Sequence, residues 1–445
     1  MALIRIDWDR TLGTVDRRIF SGFVEHLGRC IYGGLYDPGS PLADERGFRT
    51  DVLEAARRLH PPVLRWPGGN FVSGYHWTDG IGPAADRPRR LERAWHAEEP
   101  NTFGTDEFMA YCQELGTEPY LCLNMGTGTL EEACAWVEYC NGTGDTYWVN
   151  ERRRNGHPEP YGVHYWGLGN EMYGEWQLGA LSAEDYVRRA RQWASALRRT
   201  DPTIELVSCG KDGFSDWDRI VIEGLVRSVD HHSIHLYTGS ADYWSNVLAP
   251  LHAERALRLC GALIERARYL QRVEPPVSVA YDEWNVWFRE RGESSGLEER
   301  YTLSDALAVA TYLNVFVRHC RTLRMANLAQ LVNVIAPIIT SPQGLFLQTI
   351  YHPLQLASTL TREVALDALV AGDTIDHADP AGAPWPHRVG DLGPFPVLDV
   401  AASRDANGAR TTIAIVNRAL QPQGVTLEFG RPLQGDAIVH RIEGD

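Results

Sequence analysis

The 445-residue chain has no C-x-x-C pair among its eight cysteines. Its start has no basic segment leading into an apolar run, and no uninterrupted apolar stretch nears the roughly 20 residues a membrane span needs. Each absence removes a class. Scattered cysteines do not suggest a zinc or redox centre and read as reduced, mostly buried thiols of a cytosolic protein without disulfides. The opening MALIRIDWDR carries no leader pattern, so a cytoplasmic location is expected, with no membrane partner. Positive charge is also scarce. Against 58 acidic residues stand 43 lysines and arginines, a net charge of −15, which argues against a nucleic-acid partner. The basic clusters RPRRLER (87–93) and ERRR (151–154) read as solvated faces.

What is present suits a large soluble protein, 44% hydrophobic and 23% charged, too long for one ordinary core. From about residue 18 to 335, short apolar runs alternate with amphipathic segments. The runs are RIFSGFVE (18–25), PVLRWPGG (62–69), EPYLCLNMG (118–126), GVHYWGLGNE (162–171), IELVSCG (204–210), VDHHSIHLY (229–237), PVSVAYDEW (276–284) and ANLAQLVN (326–333). Runs that are apolar throughout suit parallel strands buried on both faces. Between them, 182–199 places Ala183, Tyr186, Val187, Ala190, Trp193, Ala194 and Leu197 on one helical face, with Ser182 available to cap the start. Segments 251–272 and 304–320 repeat that periodicity.

Eight such units predict an α/β fold, a (β/α)8 TIM barrel over 18–345. The helix after the eighth strand has the weakest pattern. Further on, VLDVAASRD, ARTTIAIVNR, GVTLEFG and AIVHRI are short runs separated by turn residues, which predicts an antiparallel, jelly-roll-like β-sandwich. The alternating ALIRIDWD near the start is expected to join it, so the second domain comprises 1–17 plus 346–445.

Chemistry in such a barrel sits at the C-terminal ends of the strands. Those ends carry Glu25, Asn70, Asn124, Glu171, Tyr237, Glu283 and Gln330. Two carboxylates, Glu171 in GLGNEMYGEW and Glu283 in YDEWNVW, can face one cleft. Such a pair suits glycosidic cleavage, one acid giving a proton to the leaving oxygen while the other, ionised, attacks the anomeric carbon or activates water. Trp95, Trp284 and Trp287 offer flat faces for sugar C–H groups. The bland alternative makes the two glutamates buried partners of arginines such as Arg65. The apolar and aromatic neighbours of Glu171 predict a carboxyl kept protonated by desolvation, and Arg65 is the group expected to keep Glu283 ionised. His231, His232 and His235 suggest a metal only superficially, because strand alternation separates His232 from the other two. GLGNEMYG misplaces the third glycine of a dinucleotide fingerprint. No metal and no cofactor are expected.

WGLGNEMYGEWQ and YDEWNVW resemble the two glutamate signatures of glycoside hydrolase family 51, the α-L-arabinofuranosidases. FSGFVEHLGRCIYGGLYDPGSP, LRWPGGNFVSGYHWTDGIGP, RPRRLERAW, NTFGTDEFM, DPTIELVSCG and LAQLVNVIAPI are similar to its other hallmark stretches, in the same order, over roughly residues 1–355. The resemblance implies a retaining exo-enzyme acting on arabinan or arabinoxylan oligosaccharides. It makes Glu171 the general acid/base and Glu283 the nucleophile. Asn170 would bond the sugar 2-hydroxyl. Glu25, Asn70, Tyr237 and Gln330 would hold the furanose ring, Trp95 and Trp287 would wall the pocket, and Arg65 and His235 would support it. A homo-oligomer, a hexamer, is implied in the same way. Asn70 after Gly68-Gly69 also reads as a turn residue, Gln330 as a core amide and Tyr237 as a rim aromatic. An endo-acting β-glycanase on the same barrel and a catalytically silent carbohydrate-binding protein are the rival functions. Two departures stand out. FRERGESSGLEERYTLSD, after Glu283, is shorter than the family's usual stretch and unlike it, and AIVHRIEGD ends where the family's sandwich continues, so the sandwich is reduced or the sequence incomplete.

Overall fold

The computed structural model describes residues 2–274, 277–288, 297–379, 388–431 and 435–444. Residues 289–296, in the first half of the departing stretch, lie outside them.

Eight parallel strands close into a barrel in chain order, Ser21–Phe23, Val63–Trp66, Glu118–Cys122, Tyr165–Leu168, Glu205–Ser208, His231–Thr238, Ser278–Val286 and Leu323–Ala329. Each lies in or overlaps one of the eight apolar runs. The eighth pairs with the first through Asn327 opposite Ser21, which closes the ring. A strand covered by its neighbours' side chains inside and by helices outside has no polar face, and Val63–Trp66 and Tyr165–Leu168 are buried at every position.

The helix Ala183–Thr200 buries the seven residues its periodicity singles out, and the Ser182 hydroxyl accepts the Asp185 N–H at 3.2 Å. Helices Leu251–Gln271 and Leu303–Arg318 form where the other two patterns lie. Tyr351–Leu360 is a further helix that still packs on the barrel, Tyr351 donating to the Ala55 carbonyl at 2.8 Å. Among the described residues no helix is long and apolar enough to cross a membrane, and all eight cysteines are free.

Five further strands form one sheet in the order Thr411–Asn417, Leu398–Arg404, Val364–Ala371, Ala2–Thr14, Val425–Phe429. Pairing is antiparallel except between the two last named. Besides it there are three two-stranded pairings among the described residues, Arg90–Glu92 with Ala97–Glu99, Ile338–Ser341 with Gly344–Leu347, and Thr374–Ile375 with Phe395–Pro396. A second large sheet that would make a jelly roll is not among the described residues. Two expectations differ from this. Val364–Ala371 lies centrally in the sheet although its sequence does not alternate as a half-buried strand would. AIVHRI (437–442) forms no strand, and Ile438 and Val439 are more than four-fifths exposed. With no partner strand, a short apolar run cannot satisfy its backbone.

Buried charge ties the sheet to the barrel wall. Asp399 accepts from Asn314 at 2.8 Å and pairs with Arg318 at 3.1 Å and Arg418 at 3.0 Å, and Arg318 also meets Glu254 at 3.2 Å.

Candidate active site

The seventh strand presents Glu283 to the barrel axis and turns Trp284 outward, because successive side chains alternate. Trp284 therefore packs in the wall against Tyr312 and Phe316, ring centroids 5.0 Å away in each case, and is not a cleft face as its sequence position suggests. Glu283 Oε1 accepts from Arg65 Nη1 at 2.8 Å and Oε2 accepts from the Tyr237 hydroxyl at 2.8 Å. Arg65, buried on the second strand, donates through its other nitrogen to Asn170 Oδ1 at 2.7 Å. One guanidinium thus fixes residues from strands four and seven. Asn170 Nδ2 is left buried with no hydrogen-bond partner among the described residues, a donor with an unmet need beside both glutamates.

Glu171 leaves the fourth strand through a tight turn, with φ of +79° at Gly169 and +43° at Glu171 itself. A left-handed conformation at a non-glycine residue is strained by about 1–3 kcal/mol and persists only when the surroundings hold it. Here Oε1 accepts from His235 Nδ1 at 2.9 Å and from the Tyr173 hydroxyl at 3.1 Å, while Oε2 accepts from Trp176 Nε1 at 3.1 Å. Burial pushes this carboxyl upward, but the hydrogen bond and charge of His235, with Trp176 and Tyr173, bring it below the ordinary carboxylate range. This corrects the expectation of an acid kept protonated by its apolar setting. The sequence shows the neighbouring aromatics but not that two of them donate, nor that His235 comes from another strand.

His235 is buried between three acids, with Nδ1 at 2.9 Å from Glu171 and 3.5 Å from Glu283 and Nε2 at 3.3 Å from Asp282. Burial opposes its charge, yet Glu283, Asp282 and Glu171 together raise it to about 10, so it is an imidazolium at neutral pH. Asp282 was missed, although it stands beside Glu283 in YDEW. Despite burial it is held strongly ionised by Arg65 and His235 and by the Ser233 hydroxyl, and it accepts from the Tyr120 hydroxyl at 2.8 Å. Its side chain points into the barrel because the strand is irregular between Ala280 and Glu283. One ligand atom each of Glu171, His235 and Glu283 lies within 4.8 Å of the others, a spacing that also suits a metal ion. The other two histidines belong elsewhere, His232 bonded to Asp218 and Ser208 and His231 to Glu205 and Ser278.

Glu25, at the end of the first strand, faces the same space. Its Oε1 accepts from the Phe71 N–H at 3.1 Å and Trp95 Nε1 at 3.2 Å, and its Oε2 accepts from Gln330 Nε2 at 3.1 Å. Burial and then the charge of Glu283 push it up to about 8. Gln330 also accepts the Glu25 N–H at 3.1 Å, so the amide clamps this residue. Gly68 and Gly69 let the chain pass close to both acids. A Cβ at Gly68 would lie 2.6 Å from Glu25 Cγ, and one at Gly69 2.9 Å from Glu283 Oε1. Asn70 follows, half-buried, at the start of a 3-10 turn. Trp95 is carried by the hairpin Arg90–Glu92/Ala97–Glu99, and Trp287 packs edge-on against Tyr237 at 5.6 Å. Asn124 is the strand-end group that does not join them. It closes its own turn, accepting from the Gly126 and Thr127 N–H groups and donating to the Tyr75 carbonyl.

The chain matches two family profiles, the alpha-L-arabinofuranosidase 1 domain over residues 55–249 and the alpha-L-arabinofuranosidase C-terminal domain over 282–435. It is 47% identical to α-L-arabinofuranosidase C of Emericella nidulans, over 99% of this chain and 89% of that one. An intracellular exo-α-(1→5)-L-arabinofuranosidase of Halalkalibacterium halodurans is 37% identical over the same shares. The solved structure of the thermostable GH51 α-L-arabinofuranosidase from Thermotoga petrophila superposes with a TM-score of 0.89 at 42% identity, covering 98% of this chain and 89% of that one.

Proposed function

Because the chain belongs to glycoside hydrolase family 51, the α-L-arabinofuranosidases, we propose that it removes terminal α-L-arabinofuranosyl residues from arabinan or arabinoxylan oligosaccharides with retention of configuration. The observation that carries this reading is the separation of Glu171 and Glu283, an oxygen of each within 4.8 Å of the other. Inverting enzymes leave room for a water between carboxyl groups about 6.5–9.5 Å apart, whereas retaining pairs stand about 5–5.5 Å apart.

In this reading Glu283 attacks the anomeric carbon. Arg65 and Tyr237 occupy its oxygens from behind and keep it aimed. Glu171 gives a proton to the leaving oxygen and later takes one from water. The unpaired Asn170 Nδ2 finds its acceptor in the sugar 2-hydroxyl. Glu25, Asn70 and Gln330, with Trp95 and Trp287 as walls, hold the ring. Exo action on 1→5 links and a cytoplasmic location are supported by the name of the H. halodurans relative. Assembly into a homo-oligomer, a hexamer, belongs to the same proposal.

Azide distinguishes the two glutamates. With an activated aryl α-L-arabinofuranoside, Glu171→Ala still forms the glycosyl-enzyme on Glu283, and azide displaces it to give the α-azide. Glu283→Ala permits only a single displacement and gives the β-azide. Anomeric analysis of both products checks this, and the reverse pattern would exchange the roles.

A further inference from the structure

Glu171 lies under three hydrogen-bond donors and is held ionised, which leaves open where the proton for the leaving group resides. We propose that His235 stores that proton, passing it through Glu171 to the leaving oxygen and recovering it in the second half-reaction. This rests on the roles given above to Glu171 and Glu283.

The geometry is that of a relay. His235 Nδ1 is 2.9 Å from Glu171 Oε1, and Nε2 is fixed 3.3 Å from Asp282 Oδ1, so the ring cannot turn away. The charged groups facing it are Glu171 from the turn after strand four and Asp282 and Glu283 from strand seven, with Tyr237 and Arg65 meeting Glu283 behind them. Glu283 stands 3.5 Å from the same Nδ1.

In the first step the bond from the anomeric carbon to the leaving oxygen breaks and its electron pair stays on that oxygen. A Glu283 oxygen bonds to the carbon. The Nδ1 proton moves to Glu171, whose terminal torsion is broad and roughly two-fold, so a half-turn presents it to the leaving oxygen. An imidazolium and a carboxylate become an imidazole and an ester, and the net charge of the site is conserved. Loss of the Glu283 charge is also what releases the proton, since that carboxylate is among the acids that hold His235 charged. In the second step water attacks the carbon and the ester electrons return to Glu283. A water proton goes to Glu171 and on to His235, drawn by the restored charge.

The test is ¹⁵N NMR of the His235 ring at pH 7 in the resting protein and in Glu283→Gln, which mimics the neutral ester. The expected result is a doubly protonated ring in the resting protein and a singly protonated one in the variant. A neutral ring in the resting protein, or a charged ring in both, would overturn the relay. Kinetics give a second readout. His235→Gln keeps a hydrogen-bond donor but carries no mobile proton, so kcat/KM should fall ~10²-fold or more for alkyl leaving groups and under ~10-fold for a dinitrophenyl one. Equal losses for both would make His235 merely structural. If the azide products contradict the roles of the glutamates, the parent reading fails, whatever the NMR result.

Discussion

Glu25 sits in the site with two donors on one oxygen and the Gln330 amide on the other, and its carboxyl is pushed up to about 8. At pH 7 it is therefore a neutral group, which a glutamine imitates and an alanine does not. Glu25→Gln is expected to lose less than ~10-fold in kcat/KM, and Glu25→Ala ~10²-fold or more. The same shift has a stability sign. The folded state keeps a proton that the unfolded chain releases near 4.5, so folding stability declines as pH rises from about 4.5 to about 8. The Tm of Glu25→Gln relative to the parent should thus rise between pH 5 and pH 8, and a constant difference would refute the assignment. Asn70 and Gln330 belong to the same scale. Replacing either with alanine should lower kcat/KM by ~10²-fold, while a fall in Tm with unchanged kinetics would make it a turn or clamp residue only.

Helix Ala183–Thr200 was readable because it shows the solvent one polar face, whereas Leu303–Arg318 has no exposed position. In Ala183–Thr200 the periodic positions and the buried ones coincide, and the cap at Ser182 is a local signal. Ser182→Ala should cost about 1 kcal/mol of stability and leave kinetics alone, as thermal unfolding and steady-state assays would show. Barrel strands were readable for the opposite reason, having no polar face. Strands of the small sheet lie between these cases. Val364–Ala371 runs VALDALVA, where no strict alternation separates a strand from a helix, whereas AIVHRI opens on an apolar run and forms no strand. What a short segment becomes depends on the neighbours that satisfy its backbone.

Across the whole molecule, the contact between sheet and barrel is built on buried charge. Burial would raise Glu254, but its hydrogen bond from His319 and the charge of Arg318 hold it down to about 2. A depressed carboxyl stabilises the fold above its unfolded value near 4.5, and that contribution is lost as pH falls toward about 2. Glu254→Gln should accordingly lower Tm at pH 7, with the gap from the parent narrowing by pH 3, which scanning calorimetry at the two pH values measures. None of this network was foreseen, because Glu254, Arg318, Asp399 and Arg418 are distant in sequence and each alone resembles an ordinary surface charge.

By itself the sequence determined the eight strands, three of the helices and the two glutamates, since periodicity and motif spacing are local or ordered along the chain. It also pointed to Arg65 as the partner of Glu283. Tertiary structure alone decided which rim groups share the cleft, excluding Asn124 and Trp284, and brought His235 beside both acids with Asp282 on its other nitrogen. It reversed the protonation expected for Glu171. A carboxyl's ionisation follows the balance of burial against donors and charges within a few ångströms, and His235 reaches it from another strand of the closed barrel.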